Sequence, residues 1–167
     1  ISGLETPTAV TGSVEFDGNG DWITVAESED FNFGTGDFTV EFWVYWDGLN
    51  SGSSRGVQLT AAVTNGIWIG QINTTDYVLR SYGNANHLTV TLPPLEKWHH
   101  IAVTRKNSTA RFFVNGNLGA SGSVTHNFVK HDITIGSDEV NGHTNGYISN
   151  VRMLKGTALY TSNFTPP

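Results

Sequence analysis

Acidic side chains are the first candidates for chemistry in this sequence. Two carboxylates about 5 to 10 Å apart can supply the acid and the nucleophile or base that cleave a glycosidic bond. Glu15 and Asp17 stand at i and i+2, the spacing that puts two side chains on one face of a strand. Glu27, Glu29 and Asp30 fall in a predicted loop. We assign no catalytic residue to either group.

Six histidines raise a metal site or a catalytic triad as further options. His99 and His100 are neighbours in a predicted strand, so their side chains point to opposite faces and cannot hold one metal ion together. His126 and His131 flank an apolar pair, and the sequence has no Gly-x-Ser-x-Gly motif to supply a nucleophile. The histidines are therefore predicted to be surface and turn residues.

Aromatic residues make the stronger case for a binding site. In residues 38–46 alternation puts apolar side chains on one face and mixed aromatic and polar side chains on the other. If the strands at 98–105 and 110–115 are neighbours of this one, the mixed face combines rings with hydrogen-bonding groups. Sugar faces stack on rings while carboxylates and guanidinium groups bind hydroxyls, so this face suits a glycan. With the loop residue Trp68 added, the predicted glycan contacts are Glu41, Trp43, Tyr45, Trp68, His100, Arg111 and Phe113.

An alternative stays open for the mixed face. Long loops could cover it, in which case Trp43 would be an ordinary buried framework residue.

The elements that must position these residues are short strands. Five Asn-Gly pairs and two Asp-Gly pairs punctuate runs rich in Val, Ile, Thr, Phe and Trp. The predicted strands are 13–17, 21–25, 38–46, 56–62, 67–72, 77–81, 87–92, 98–105, 110–115, 132–136 and 146–154. No stretch has a helical apolar period, so these strands must bury their faces sheet against sheet in a two-layer sandwich.

Composition excludes several classes of protein. The 167 residues suit one domain, and 38% hydrophobic with 14% charged residues suits a globular all-β chain. A net charge of −6 with nine scattered Lys and Arg residues argues against nucleic acid as a partner. No apolar run approaches a membrane span, so we expect no membrane insertion. The absence of cysteine removes disulfides and thiolate chemistry.

One hairpin also resembles a known family. Trp98-His99-His100-Ile101-Ala102-Val103-Thr104-Arg105 followed by Phe112-Phe113-Val114-Asn115-Gly116 looks like the central hairpin of the laminin G-like, concanavalin A-like lectin and glucanase superfamily. Residues 13–18, 21–25 and 36–44 resemble its opening strands, and residues 146–152 its closing strand. The resemblance implies an all-β fold, a two-sheet antiparallel jelly-roll β-sandwich, in which the first and last strands lie side by side. It implies a laminin G-like jelly-roll domain over residues 13–167, with residues 1–12 as an N-terminal arm or linker.

The resemblance also bears on metals and catalysis. Members of the superfamily often hold a structural calcium ion, and the matching positions here are Asp17, Asp21 and Asn150, the last being neutral where the family often has Asp. We therefore expect no required cofactor, with structural Ca²⁺ as an option. The Glu-x-Asp-x-x-Glu triple of the glucanase members is missing, and Glu15 and Asp17 lie in a matched structural strand. We predict that the chain is not an enzyme.

The leading functional prediction is a non-catalytic glycan-binding or surface-adhesion module. The closing run GTALYTSNFTPP is similar to modules of phage and marine microbial surface proteins, so we expect an extracellular, virion or cell-surface location within a larger protein. The expected partners are carbohydrate, such as a host or cell-surface glycan, and other subunits of a surface assembly. Two alternatives remain: a structural or assembly module that binds protein, and a glycosidase with an unrecognised carboxylate pair.

Overall fold

The computed structural model describes residues 12–49, 55–59, 65–81, 83, 86–137 and 142–167, with residues 55–59 described in their backbone alone. The predicted arm therefore lies outside the described residues except for Gly12, and the proposed domain boundaries stay a prediction. The described residues form twelve strands and one short 3₁₀ helix at Glu29–Phe31. The strands are β1 Val14–Asp17, β2 Ile23–Val25, β3 Phe38–Trp46, β4 Arg55–Leu59, β5 Ile67–Gln71, β6 Asp76–Ser81, β7 Asn86–Thr91, β8 Trp98–Lys106, β9 Thr109–Val114, β10 Asn117–Ser123, β11 Ile133–Ile135 and β12 Asn145–Lys155.

The strands make two six-stranded antiparallel sheets. The first sheet has the order β1-β12-β3-β8-β9-β10 and the second β2-β11-β4-β5-β6-β7. The first and last strands pair directly, with Val14 opposite Ile148 and Phe16 opposite Gly146. The all-β, two-sheet sandwich and the adjacency of its terminal strands are therefore confirmed.

The apolar faces of the two sheets pack on each other to form the core. Phe38, Val40, Phe42, Val44 and Trp46 all point inward from β3 and are at most 1% exposed. Burial of this kind contributes about 25 cal/mol for each Å² of apolar surface removed from water. The side chains between them on β3 consequently face away from the core, on what we call the outer face of the first sheet.

The β8–β9 hairpin forms as the sequence predicts, but its two histidines are buried instead of lying at the surface. Asn107 and Ser108 have the positive φ angles of a tight turn, at 48° and 63°. His99 and His100 are 5% and 1% exposed, so the expectation that they are surface residues is wrong. The two ring nitrogens of His99 lie 2.8 Å from the Pro94 carbonyl and 3.0 Å from the Asn115 amide nitrogen, which explains its burial.

Strand β10 is absent from the sequence prediction. Its sequence, Asn-Leu-Gly-Ala-Ser-Gly-Ser, lacks the β-branched and aromatic residues that favour strands. It forms because the Asn115-Gly116 turn, with φ angles of 51° and 74°, folds it back onto β9 as an edge strand. Turn chemistry outweighed composition at this position.

Arg105, the last residue of the hairpin motif, is a buried cation in the core. Its side chain donates hydrogen bonds to the carbonyl oxygens of Gly34, Gly36 and His126 at 2.7 to 2.8 Å. Its guanidinium lies 5.0 Å from the ring centre of Phe38. Carbonyl dipoles and an aromatic face thus replace water around the charge.

Candidate functional site

The outer face of the first sheet brings together most of the residues that could bind a ligand. Cross-strand register places Tyr45 between Tyr147 on β12 and Trp98 on β8. One step along the strands, Trp43 pairs with His100. Glu41 pairs with Ala102, which pairs in turn with Phe113 on β9. The predicted sharing of one face by the residues of β3, β8 and β9 is therefore what the register shows.

Three rings on this face form an aromatic cluster, composed of Tyr45, Trp98 and Tyr147. The ring centres lie 5.7 Å apart for Tyr45 and Trp98, 5.9 Å for Tyr45 and Tyr147, and 6.4 Å for Trp98 and Tyr147. Trp98 is 37% exposed, and both tyrosines are partly exposed. Since the rings contact each other, a ligand would stack on their common outer surface and would not insert between them.

Four carboxylates lie on or beside the strands that pair with or carry the aromatic cluster and form what we call the acidic rim, composed of Glu15, Asp17, Asp47 and Glu96. Glu15 pairs directly with Tyr147, and Asp17 pairs with Asn145. The Asp47 N–H donates to the Asn145 carbonyl at 3.0 Å, and the Glu96 N–H donates to the Trp46 carbonyl at 2.8 Å. All four side chains are exposed.

The acidic rim acts on the cluster electrostatically. The Glu15 carboxylate, with partial burial and Asp47 as weaker causes, raises the pKa of the Tyr147 phenol above its ordinary 10.0. Two carboxylates of the rim, Glu15 and Asp47, therefore act on the Tyr147 ring of the cluster.

A cleft of about 340 Å³ adjoins the aromatic cluster on the same face. We call it the Glu41 cleft; it is lined by Glu41, Trp43, His100, Asn150, Val151, Arg152 and Pro167. It opens beside an irregularity in β12 between Ser149 and Arg152, where Asn150 has a φ of 49°.

A buried carboxylate lies at the base of this cleft. Glu41 is 2% exposed, and its Oε1 accepts hydrogen bonds from the Nε and Nη2 of Arg152. Burial opposes ionisation of Glu41, but contacts with His100, Tyr160 and Arg152 outweigh it and hold the pKa of this carboxyl below its ordinary 4.5. The ion pair with Arg152 leaves the cleft close to neutral.

Two polar atoms in the cleft stay unsatisfied within the described structure. Glu41 Oε2 is buried without a hydrogen-bond partner, its contact with His100 Nε2 being long at 3.4 Å. The Nδ1 of His100 is also buried and unpaired. The cleft thus contains a carboxylate oxygen that lacks a donor.

The C-terminal segment, residues 156–167, covers the other end of the outer face. The hydroxyls of Thr39 and Thr104 donate to the carbonyls of Thr157 and Tyr160 at 2.8 and 2.7 Å. The ring of Phe164 lies 5.3 Å from that of Phe113 and stacks on Tyr160. This segment therefore buries half of a face that alternation alone would leave open.

Gly116 is required where the C-terminal segment crosses β9. Its carbonyl accepts a hydrogen bond from the Phe164 N–H at 2.9 Å. A Cβ atom on Gly116 would lie 1.9 Å from the Phe164 carbonyl oxygen, and its φ of 74° disfavours other residues. The Asn-Gly turn thus also seats the C-terminal segment.

The structure divides the seven predicted glycan contacts into three groups. Glu41, Trp43, His100 and Phe113 lie on the outer face but are buried, Trp43 being the most exposed at 6%. Tyr45 and Arg111 lie on the same face and are partly exposed. The alternative of a covered face with a buried Trp43 is the arrangement found. A glycan-binding role for any of the seven stays a prediction.

Trp68 is separated from the other six. It lies on β5 of the second sheet between the core residues Ile67 and Ile69, so it points to the opposite outside surface of the sandwich. It is 4% exposed, with the Arg80 guanidinium 5.2 Å from its ring centre. Trp68 therefore lies in a strand and apart from the other six residues, and a glycan-binding role for it stays a prediction.

The three predicted calcium ligands do not converge. The Asp17 N–H donates to Asp21 Oδ2 at 3.3 Å, so these two residues are close. Asp17 pairs with Asn145, and Asn150 lies five residues further along β12, roughly 17 Å away in an extended strand. The described residues contain no group of three or more His, Cys, Asp or Glu side chains arranged for a metal ion. Calcium binding by Asp17, Asp21 and Asn150 stays a prediction.

Sequence reasoning missed Trp98 and Tyr147. A usable signal existed, because Trp98 has the same parity as His100 in one strand and therefore shares its face. What the sequence lacked was the register that sets Trp98 and Tyr147 on either side of Tyr45.

The fold and sequence together define the family. Residues 17–159 match a laminin G-like family of the concanavalin A-like lectin/glucanases superfamily, and the chain belongs to this superfamily. The resemblance stated from the hairpin motif is confirmed. No curated protein matches the chain.

Several solved structures share the fold at low sequence identity. Domain 4 of AbnA, an extracellular GH43 arabinanase from Geobacillus stearothermophilus solved with arabinotriose, is 16% identical with a TM-score of 0.60, over 82% of this chain and 68% of that one. Trypanosoma rangeli sialidase with the inhibitor DANA is 16% identical with a TM-score of 0.67, over 89% of this chain and 26% of that one. Domains LG4-5 of the mouse laminin α1 chain are 17% identical with a TM-score of 0.60, over 85% and 40%.

These similarities correct one prediction. The exclusion of enzymatic activity is wrong as drawn, because the similar structures include an arabinanase and a sialidase. At 16% identity the likeness establishes a common fold, and this fold occurs in glycosidases as well as in laminin. A missing carboxylate triple is therefore no basis for excluding catalysis.

Within the described residues, no helix has the length and apolar character needed to cross a membrane.

Proposed function

We propose that this domain binds glycans, with the aromatic cluster as the stacking surface and the Glu41 cleft beside it. One observation carries the proposal: Tyr45, Trp98 and Tyr147 form a partly exposed surface across three adjacent strands. Neighbouring strands lie about 4.8 Å apart, so this surface spans about 10 Å between its outer strands, a suitable width for two linked sugars. Aromatic faces and nearby polar groups are the usual partners of sugar rings.

The relatives support a carbohydrate ligand. The arabinanase domain was solved in complex with arabinotriose, and the superfamily is named for lectins and glucanases. We further propose that the domain acts in surface adhesion as part of a larger phage or microbial surface protein, outside the cell or on the virion.

A glycan array probed with the purified domain, with and without millimolar calcium, tests this function. We expect selective binding to one sugar class and roughly a fivefold loss of affinity in Trp98→Ala, because a contact with an aromatic ring contributes about 1 kcal/mol. Trp22→Ala is the matched control, since Trp22 is 42% exposed and contacts His143 outside the cluster.

The outcomes distinguish failure of glycan binding from failure of the site assignment. Silence across the array from a folded protein rejects glycan binding, and equal losses in the two tryptophan variants reject the assignment to the aromatic cluster. Incubation of any bound glycan with the domain, followed by a reducing-end assay, then determines whether binding leads to hydrolysis.

An assembly role is the second candidate, and a different surface favours it. Strands β1 and β2 are the sheet edges on one side of the sandwich, and an apolar cleft of about 340 Å³ lies there, lined in part by Val14, Phe16, Ile23 and Ile148. Val14 is 46% exposed, and an unpaired strand edge can accept a strand from a neighbouring subunit. Sedimentation should then show association that Val14→Lys abolishes, whereas a strict monomer that binds no other surface subunit contradicts this role.

A further inference from the structure

The charge around the aromatic cluster distinguishes between classes of glycan. The four carboxylates of the acidic rim are exposed, and each lies on or next to a strand that carries a cluster ring. Lys97, exposed beside Trp98, offers one opposing charge. The local balance of these five groups is therefore about −3, within a chain of net charge −6.

Nearby guanidinium groups do not offset this charge. Arg152 is held by the Glu41 carboxylate, with both Nε and Nη2 directed to Oε1. Arg111 lies across from Thr104, beyond the row that contains Glu41, and donates to the Thr109 carbonyl at 3.3 Å. An anionic sugar stacked on the aromatic cluster would therefore face the carboxylates of the acidic rim, because both arginines lie in other rows of the sheet.

The Glu41 cleft makes the same distinction through hydrogen bonding. One carboxylate oxygen of this cleft, Glu41 Oε2, has no donor and belongs to a side chain that is 2% exposed. A buried acceptor without a donor is unfavourable, so a ligand group rich in donors would complement this oxygen.

We propose that the glycan bound at this site carries protonated amines, as in oligosaccharides of deacetylated amino sugars. This inference rests on the proposed glycan-binding function and names its ligand class. An ammonium group supplies three donors, is attracted by the acidic rim, and interacts favourably with the faces of Trp98 and Tyr45. Anionic glycans are selected against by the same charges.

A matched pair of ligands tests the inference. Calorimetric titration compares the hexamer of N-acetylglucosamine with its fully deacetylated form at about pH 5.5, where exposed carboxylates are ionised and the sugar amine is protonated. We expect the deacetylated hexamer to bind about 5- to 20-fold more tightly in low salt. Because the rim is exposed, about 0.5 M salt should reduce the difference to roughly twofold.

Charge variants connect the preference to the rim. Glu15→Gln/Asp47→Asn should remove most of the gain for the amine form. Glu29→Gln/Asp30→Asn, which removes the same charge beside Lys155 at the far end of β12, should leave the gain intact. Both variants keep side-chain size, and circular dichroism confirms that each is folded.

The results separate the two proposals. If neither hexamer nor any array glycan binds, the glycan-binding function itself fails. If array glycans bind but the amine form shows no advantage, or a galacturonate hexamer binds as tightly, the inference is overturned and glycan binding stands. Equal effects of the two double variants also overturn it.

Discussion

The two ends of the outer face of the first sheet differ in exposure: one is open to solvent and the other is covered. Both carry aromatic side chains that point outward, such as Trp98 on β8 and Phe113 on β9, yet Trp98 is 37% exposed while Phe113 is fully buried. The difference comes from the C-terminal segment, whose Tyr160 and Phe164 rings pack on Phe113 and stop short of the aromatic cluster. An aromatic pattern on a strand thus indicates a surface that must be covered or used, and the rest of the chain decides which.

The largest effect should come from the covered end. Phe113→Ala removes a fully buried ring beneath the C-terminal segment, and we expect the free energy of unfolding to fall by about 3 to 4 kcal/mol. Tyr45→Ala, at the open end, should cost about 1 kcal/mol. Urea denaturation measures both, and comparable losses would remove the distinction between the ends.

Phe164→Ala tests the cover itself. The ring is partly exposed, stacks on Tyr160 and also contacts His100 of the Glu41 cleft, so we expect a loss of about 2 kcal/mol in the free energy of unfolding and a smaller loss of glycan affinity than in Trp98→Ala. Trp98→Ala should show the reverse, with affinity lost and stability nearly kept. Urea titrations and glycan titrations on both variants measure the two effects. Equal losses of stability and of affinity in both variants would contradict this division between the covering segment and the binding surface.

Glu41 lies between the two ends and should make stability depend on pH. Its folded pKa lies below the ordinary 4.5, so the unfolded chain takes up the proton first and the stabilising contribution, present above pH 4.5, is lost as the pH falls through the folded pKa. Glu41→Gln should cost on the order of 1 to 2 kcal/mol at pH 7. Its free energy of unfolding should then decline less steeply below pH 4.5 than that of the native protein, and parallel declines would contradict the assignment.

The smallest effect concerns the open end. The pKa of Tyr147 is raised chiefly by Glu15, so Glu15→Gln should lower it toward the ordinary 10.0. Absorbance titration of the phenols, with Tyr147→Phe to identify the relevant component, measures the change. An unchanged Tyr147 titration would mean that Glu15 does not act on the cluster.

Much of the fold could be predicted because it depends on local patterns. The sequence predicts residues 38–46 as a strand with the bounds observed. An apolar residue at every second position over nine residues leaves one face of the strand suited to the core. Strand β10 could not be predicted, because its pairing depends on the Asn115-Gly116 turn and on β9 and not on its own composition. The helix at Glu29–Phe31 is a single turn capped by Ser28, too short for any periodic signal.

The candidate site was less predictable because it depends on contacts between distant residues. Glu41 and Arg152 are 111 residues apart in the sequence, and Asn150 appeared beside Asp17 only by analogy with a family position. Trp68 lies between two apolar residues of a strand, as Trp43 does on β3, but it belongs to the other sheet. Residue type indicates which side chains could contact a ligand, and the order of the strands decides which of them lie on the same surface.

The sequence by itself determined which side of each strand faces the core, because side chains on a strand alternate with a period of two and the apolar set must be buried. It also determined the superfamily, whose family model residues 17–159 match. The tertiary structure alone decided which outward residues stay exposed. That outcome depends on where residues 156–167 cross the sheet, and their hydrogen bonds reach Thr39 over 118 residues of chain, a distance no local pattern encodes.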